Sequence, residues 1–279
     1  MDMVSWTVSR GRIMGPAPFF VVGIVNVTLD SFYDGGICPT PAQAVEHGRT
    51  LAEQGALILD IGGESTRPFA EPVTVAEELE RTVPVVRELA ALMPHVALSV
   101  DTTKAAVATA CLEAGASIIN DVSAGALDPE LMDVVCQYAP GYVLMHSQGT
   151  PGTMQIAPHY DNVLDELCAF FEAKLEFLVR SGLPENRIVL DPGIGFGKTL
   201  AHNLEILRHI TRFHAFGRPL FLGISNKSLW GQLLGRTGSE RNAATLAATA
   251  LLYERGVRIH RVHEVCCAHD ALMVAHTLA

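Results

Sequence analysis

Positive charge is scarce in this chain. Charged residues make up 18% of its 279 positions, and only 20 are Lys or Arg against 30 Asp and Glu, a formal net charge of −10. Such a chain is no general nucleic-acid or membrane-surface binder, since both need a basic face. A small anion asks for only two or three local cations and is not excluded. Long apolar runs are missing too. The N-terminal one, 19–25, follows Gly15, Pro16 and Pro18 and falls well short of the ~20 residues that span a bilayer or of a signal-peptide layout. The six cysteines, at 38, 111, 136, 168, 266 and 267, contain no Cys-x-x-Cys pair. They read as reduced thiols, mostly buried in helices and strands, of a soluble cytoplasmic protein. No low-complexity segment, charge block or Ser/Gly linker divides the chain.

What is present is apolar and periodic. Hydrophobic residues reach 49%, which with so little charge excludes a disordered chain. Short apolar runs recur at 19–26, 56–61, 96–101, 116–121, 142–146, 187–191, 220–224 and 257–263. Each has a strand's length and no clean alternation, the pattern of a parallel sheet covered on both faces. Between them, 40–54, 74–93, 103–114, 162–181 and 239–255 read as helices. Four of these five stop at a glycine (Gly55, Gly115, Gly182, Gly256) that leads into the next strand. Eight strands alternating with helices, in a chain close to the ~250 residues typical of the fold, predict a single (β/α)8 TIM barrel over 19–279. An open doubly wound sheet would carry a glycine fingerprint after its first strand, and none is there. Residues 1–18 are expected to form an N-terminal hairpin or arm, with strands at 5–8 and 12–14, plugging the barrel bottom.

The polar residues fall at strand ends: Asn26, Asp60, Asp101, Asn120, His146, Asp191, Ser225, and Arg261 with His263. The C-terminal ends of barrel strands converge on one pocket. Taken singly, any of these is a satisfied structural group; taken as a set, they define a site. One half, Asp101, Asn120 and Asp191, suits a heterocycle with several N–H donors. The other, Arg67, Lys227, Arg261 and His263, suits an anion such as phosphate. Asn26, with Asp30 nearby, could meet a hard cation, and the sparse oxygen ligands fit Mg²⁺ bound mainly through substrate phosphate and water. A phosphorylated heterocycle follows. Other motifs fail: Pro192 stands where a P-loop needs glycine, Lys198 where the dinucleotide fingerprint needs its third glycine, and Lys227 where a nucleophile elbow needs glycine. No His-Glu-x-x-His occurs. Tyr160, Phe170, Phe171 and Phe177 read as packing.

Several segments together resemble the bacterial dihydropteroate synthases. They are Gly-Ile-Val-Asn-Val-Thr-Leu-Asp-Ser-Phe-Tyr-Asp-Gly-Gly at 23–36, Asp-Ile-Gly-Gly-Glu-Ser-Thr-Arg-Pro at 60–68, Ser-Val-Asp-Thr at 99–102 and Ile-Asn-Asp-Val at 119–122. Leu-Met-His at 144–146, Gly-Thr-Pro at 149–151, Asp-Pro-Gly-Ile-Gly-Phe-Gly-Lys at 191–198, Ser-Asn-Lys-Ser at 225–228 and Arg-Val-His at 261–263 follow in order. The resemblance implies a pterin-binding TIM barrel that joins 6-hydroxymethyl-7,8-dihydropterin pyrophosphate to 4-aminobenzoate, releasing pyrophosphate, in folate biosynthesis. It implies a Mg²⁺-dependent homodimer and a sulfonamide target. By the same resemblance Asp101, Asn120, Asp191 and Lys227 bind the pterin, with Met145 and Phe196 lining its pocket. Asn26 meets the metal. Thr66, Arg67, Arg261 and His263 hold the pyrophosphate, and Ser225 receives the 4-aminobenzoate carboxylate. Catalysis falls to Asp101, Arg67, Lys227, Arg261, His263 and Asp30.

Two positions depart from the family pattern. Leu29 stands where proline is usual, and Asn226 where arginine is usual, which leaves catalytic efficiency and sulfonamide sensitivity open. Two alternatives share the barrel. A pterin-binding methyltransferase domain would depend on a corrinoid, and a non-catalytic paralogue would bind pterin without turnover.

Overall fold

The computed structural model describes residues 3–28, 40–66, 70–150 and 152–279. An antiparallel hairpin of β1 (Val4–Thr7) and β2 (Ile13–Ala17) precedes eight parallel strands. These are β3 (Phe20–Asn26), β4 (Ile58–Gly62), β5 (Ala97–Asp101), β6 (Ile118–Asp121), β7 (Gly141–Met145), β8 (Ile188–Asp191), β9 (Phe221–Gly223) and β10 (Ile259–Val262). Helices lie between them and after the last: α1 (Pro41–Glu53), α2 (Val75–Leu92), α3 (Ala105–Ala114), α4 (Glu130–Tyr138), α5 (Val163–Arg180), α6 (Leu200–Arg208), α7 (Ser228–Leu234), α8 (Asn242–Glu254) and α9 (Val265–Leu278). The strands pair in the order β8-β7-β6-β5-β4-β3-β10-β9. The ring closes between β8 and β9 through a single parallel bridge, Leu190 to Leu220, with Leu190 N–H donating to the Pro219 carbonyl at 3.0 Å. The predicted (β/α)8 barrel is the observed fold, and each of the eight apolar runs overlaps one strand, with β4 reaching one residue past its run to Gly62 and β7 starting one before its run at Gly141.

Both faces of every strand are covered, which explains the missing alternation. Leu59, Ile61, Leu98, Val100, Ile119, Leu144, Leu190, Leu222 and Val262 face outward into the core shared with the helices. Their neighbours face the barrel axis in layers two residues apart. The lowest layer is apolar: Val22, Ile58, Ala97, Ile118, Val143, Val189, Phe221 and Ile259 cluster with Val4, Trp6, Val8 and Met14 of the hairpin region. The hairpin therefore seals the bottom, and Trp6 Nε1 donates to the Arg187 carbonyl at 2.8 Å. Two residues further along the same strands the layer turns polar: Asp60, Ser99, Asn120, Asp191 and Arg261, with Met145 and Gly223. Strand register sets Asp60 beside Ser99 and Gly62 beside Asp101, so Asp101 stands one layer above Asp60.

Helix starts follow local chemistry. Thr40, Thr74 and Thr199 form reciprocal capping boxes with Gln43, Glu77 and His202. The helices α4, α6, α7 and α9 are not among the helices predicted from sequence, although α6 starts at the Thr199 capping box, and α8 begins at Asn242 behind one 3-10 turn rather than at 239. The thiol expectation needs correction. Of the five described cysteines all are free, yet only Cys111 is buried; Cys136 and Cys168 are half-buried, and Cys266 and Cys267 lie exposed at the start of α9, the outermost layer. Phe177 is likewise exposed on α5 rather than packed.

Candidate active site

The polar layer sits at the C-terminal mouth of the barrel. Arg261, near the end of β10, is its hub. Its Nε donates to Asp60 Oδ2 at 2.6 Å and its Nη2 to Asp101 Oδ2 at 2.9 Å. Asn120 Nδ2 donates to the same Asp60 oxygen at 3.0 Å. Asp60 is fully buried, and Asp60 Oδ1 and Asp101 Oδ1 have no hydrogen-bond partner. A buried carboxylate oxygen without a donor carries a desolvation penalty that a bound N–H group relieves. Burial pushes the Asp101 carboxyl up to about 7, against the pull of Arg261. Burial also works against the charge of Arg261, but Asp60 and Asp101 outweigh it and hold the guanidinium above its ordinary value.

The second cluster belongs to the connection after β8. Asp191 is buried, and its Oδ1 accepts the Gly193 N–H at 2.7 Å; burial raises its carboxyl, with Lys227 opposing. Lys227 donates to the Ile194 carbonyl and lies over the Phe196 ring, 4.4 Å from its centroid. Burial lowers its ammonium to about 8 although Asp191 pulls the other way. Beneath them Lys198 is caged. Its Nζ reaches His146 Nδ1 and the carbonyls of Gly193 and Phe196 at 3.0 Å each, and the His146 carbonyl at 3.2 Å. Burial brings this ammonium down to about 7 and, with Lys198 beside it, the His146 ring down to about 3. The loop glycines permit the cage: a Cβ on Gly193 would stand 1.9 Å from the His146 carbonyl oxygen. His146, a candidate strand-end group in the sequence, is therefore used internally.

Ser225 and His263 form a third group. His263 Nδ1 lies 3.0 Å from Ser225 Oγ, which also accepts the His263 N–H at 3.3 Å. Asn226 follows with φ 55°, a left-handed geometry that asparagine tolerates better than most side chains. Its N–H donates to Thr245 Oγ1, and Arg241 donates to its carbonyl, each at 3.2 Å. On the other side of the mouth Asn26 ends β3 half-buried, and Thr66 is half-buried beyond β4. A Cβ at Gly62 would come within 3.8 Å of Asn26 Oδ1 and 3.6 Å of Asp101 Cβ; glycine leaves that space open.

One barrel end thus gathers Asn26, Asp101, Asn120, Met145, Asp191, Phe196, Ser225, Lys227, Arg261 and His263. Asp30 and Arg67, with Leu29, lie outside the described residues. Sequence reasoning places Asp60 at a strand end without a role, and it gives none to Lys198. Two-residue periodicity back from Gly62 is the signal that puts Asp60 on the inward face. Asp121, by contrast, points away: it accepts from the N–H and Oγ of Ser123, the Gly125 N–H and the Tyr142 hydroxyl, and so holds the turn after β6.

A barrel with this mouth has the build of a small-molecule enzyme, and the comparisons define which. The profile of the family described as "Pterin binding enzyme" matches residues 22–263. Dihydropteroate synthase of Escherichia coli (strain K12) is 42% identical over 254 residues, covering 91% of this chain and 89% of that protein. The crystal structure of Yersinia pestis dihydropteroate synthase with a sulfonamide drug complex superposes with a TM-score of 0.93 at 40% identity, covering 99% of each chain. That of the Xanthomonas albilineans enzyme with 4-aminobenzoic acid gives 0.89 at 42% identity, covering 98% of each. The chain belongs to the pterin-binding enzymes and, among them, to the dihydropteroate synthases. Its activity is that of the family, a group transfer in folate synthesis.

Proposed function

We propose that the barrel mouth binds 6-hydroxymethyl-7,8-dihydropterin pyrophosphate with its ring on the polar layer and its pyrophosphate toward the loops, and that 4-aminobenzoate then displaces the pyrophosphate to give 7,8-dihydropteroate. One observation carries this reading: buried acceptors and cations stand side by side in a single pocket. Asp101, Asn120 and Asp191 offer acceptor oxygens to the ring's N–H edge, and the unpartnered Asp101 Oδ1 is the clearest of them. Phe196 and Met145 flank the ring, with Lys227 above Phe196. Ser225 takes the 4-aminobenzoate carboxylate, which is also where a sulfonamide would compete.

The bond that breaks joins the pterin methylene carbon to the pyrophosphate oxygen; the new one joins that carbon to the arylamine nitrogen, which loses a proton. Arg261 and His263 stabilise charge on the departing oxygens, together with Thr66 and with Arg67, while Asp30 acts with Asp101 on the opposite, positive charge; Arg67 and Asp30 lie outside the described residues. Asp101 stabilises the positive charge that grows on the ring as the bond lengthens.

Among the described residues no group of three or more His, Cys, Asp or Glu is arranged to hold a metal. The single amide oxygen of Asn26, beside the open space at Gly62, suits a Mg²⁺ ion held otherwise by pyrophosphate oxygens and water. Such an ion would neutralise charge on the leaving group. A homodimer is supported by large apolar side chains exposed on the last helices: Leu233 and Leu234 on α7, Leu251 on α8, and Met273, Val274 and Leu278 on α9. A reducing cytoplasm suits the five described cysteines, all of them free.

The test is pyrophosphate release by purified protein given the pterin pyrophosphate, with and without 4-aminobenzoate and with and without Mg²⁺. Release that requires both, with dihydropteroate formed, supports the reading. Pterin binding without release refutes it.

A further inference from the structure

Outside the polar layer another charged group, with Lys104 and Glu64 half-buried and Glu78 fully buried, sits where the β4–α2 and β5–α3 connections meet. Lys104 is the capping residue of α3, three positions past Asp101. Its Nζ donates to Glu64 Oε2 at 2.6 Å and to Glu78 Oε2. Glu64 stands two positions before Thr66. Its other oxygen, Oε1, accepts the backbone N–H of Val73 at 3.0 Å, just ahead of α2. One carboxylate therefore ties the two ends of the β4–α2 connection to each other and, through Lys104, to the strand that carries Asp101. Arg81 reinforces the entry by donating to the Gly63 carbonyl at 2.9 Å.

This arrangement is built at some expense to the fold. Glu78 is fully buried and its Oε1 has no hydrogen-bond partner. Gly63 is required beside it, since a Cβ there would stand 2.7 Å from Thr82 Cγ2 and 2.9 Å from Glu78 Cγ. Burial opposes the charge on Lys104, but its hydrogen bonds to Glu64 and Glu78 outweigh it and leave the ammonium above its ordinary value. Buried ion clusters are poor sources of net stability, and well-packed apolar side chains serve a fold as well or better. What three charges at fixed distances do supply is a fixed placement of Glu64, Val73 and Lys104 relative to one another.

We propose that Glu64 and Lys104 are a positioning pair that sets Thr66 against Asp101 and so governs capture of the pyrophosphate end of the pterin substrate. The proposal rests on the assignment of Thr66 to pyrophosphate above. Neither residue touches substrate; each acts through the backbone it holds.

Four purified variants test it: Glu64→Gln, Lys104→Met, Lys104→Arg and Thr66→Val. Steady-state kinetics give kcat and the Michaelis constants for both substrates. Calorimetry gives the Kd for 6-hydroxymethyl-7,8-dihydropterin, which lacks the pyrophosphate. Glu64→Gln and Lys104→Met are expected to raise KM for the pterin pyrophosphate about tenfold or more. The Kd for the pyrophosphate-free pterin stays within about twofold, and Lys104→Arg recovers most of the loss. If Lys104→Met does not fold, Glu64→Gln and Lys104→Arg decide. A lowered melting temperature with both constants unchanged makes the pair structural and overturns the proposal. Should Thr66→Val shift KM while Glu64→Gln does not, the pair alone fails. Should Thr66→Val leave KM unchanged, the assignment of Thr66 fails and the proposal goes with it.

Discussion

Arg261 crosses 201 positions of sequence to set its Nε 2.6 Å from Asp60 Oδ2. Asp60 lies a layer below Asp101 and is fully buried, so it grips the guanidinium from the side away from the open mouth. Asp60→Asn keeps the shape and removes the charge that orients Arg261. A charge-assisted hydrogen bond contributes about 1.5–3 kcal/mol, so kcat/KM for the pterin pyrophosphate is expected to fall about 10- to 100-fold. Arg261→Ala is expected to lose on the order of 10²-fold or more, the scale of one preorganised charge-stabilising donor. Steady-state kinetics on both variants decide; near-normal kcat/KM in Asp60→Asn would mean that Arg261 needs no support from below.

Asp101 and Lys227 titrate close to neutrality, at about 7 and about 8. On the proposed function the pterin edge needs the ionised carboxylate, and the Phe196 side needs the ammonium. The kcat/KM profile of the free enzyme is therefore expected to rise through about 7 and fall through about 8, and Asp101→Asn abolishes the lower limb. Stability carries the same signature. Burial raises the Asp101 carboxyl from 3.8, so between the two values the folded protein holds a proton that the unfolded chain has released. The contribution of this group to stability is full below 3.8 and is lost as pH rises through about 7. Thermal unfolding from acid to mildly alkaline pH, compared with Asp101→Asn, measures it.

Lys198→Met would strand the carbonyls of His146 and Phe196, whereas the Gly193 carbonyl keeps the Phe196 N–H at 3.1 Å. Each buried acceptor so stranded costs about 1–3 kcal/mol. Removing a buried, disfavoured ammonium returns part of that, so a net loss of about 3 kcal/mol is expected by urea unfolding. Because the cage also fixes Phe196, KM for the pterin pyrophosphate should rise, with the other substrate less affected. A variant unchanged in both respects would show the cage to be dispensable.

Trp6→Ala tests the bottom seal. Trp6 is buried against the lowest barrel layer, far from the mouth. A loss of about 3–5 kcal/mol is expected from the cavity, with kcat unchanged below the melting transition. A fall in kcat matching the fall in stability would show that the hairpin shapes the site as well as the base.

The eight strands were legible because burial on both faces writes continuous apolar runs. The polar groups that interrupt those runs, Asp101, Asn120, Asp191 and Arg261, were legible because they fall at strand ends. Less visible was depth. Asp60 and Asp101 look alike in sequence, yet one is a buried brace and the other faces the pocket, and only strand register separates them. Lys198 looked like part of a failed phosphate loop because cages of backbone carbonyls leave no side-chain pattern. Glu64 and Lys104 are 40 positions apart, a distance no local motif spans. The exposed thiols at Cys266 and Cys267 escaped a rule drawn from composition, because α9 turns that part of its surface outward.

The ring of strands is closed by one bridge, Leu190 to Leu220, next to a three-residue β9. In mechanical terms the barrel is a cylinder with a slit. The slit runs between the strand that ends at Asp191 and the one that leads to Ser225 and Lys227, so it passes through the mouth between groups that face each other across it. Widening there breaks almost no ladder, whereas widening anywhere else breaks several rungs. Differences among relatives in the spacing of Asp191 and Ser225 would therefore collect at this stave, and amides of β9 should be the first of the barrel to exchange with solvent.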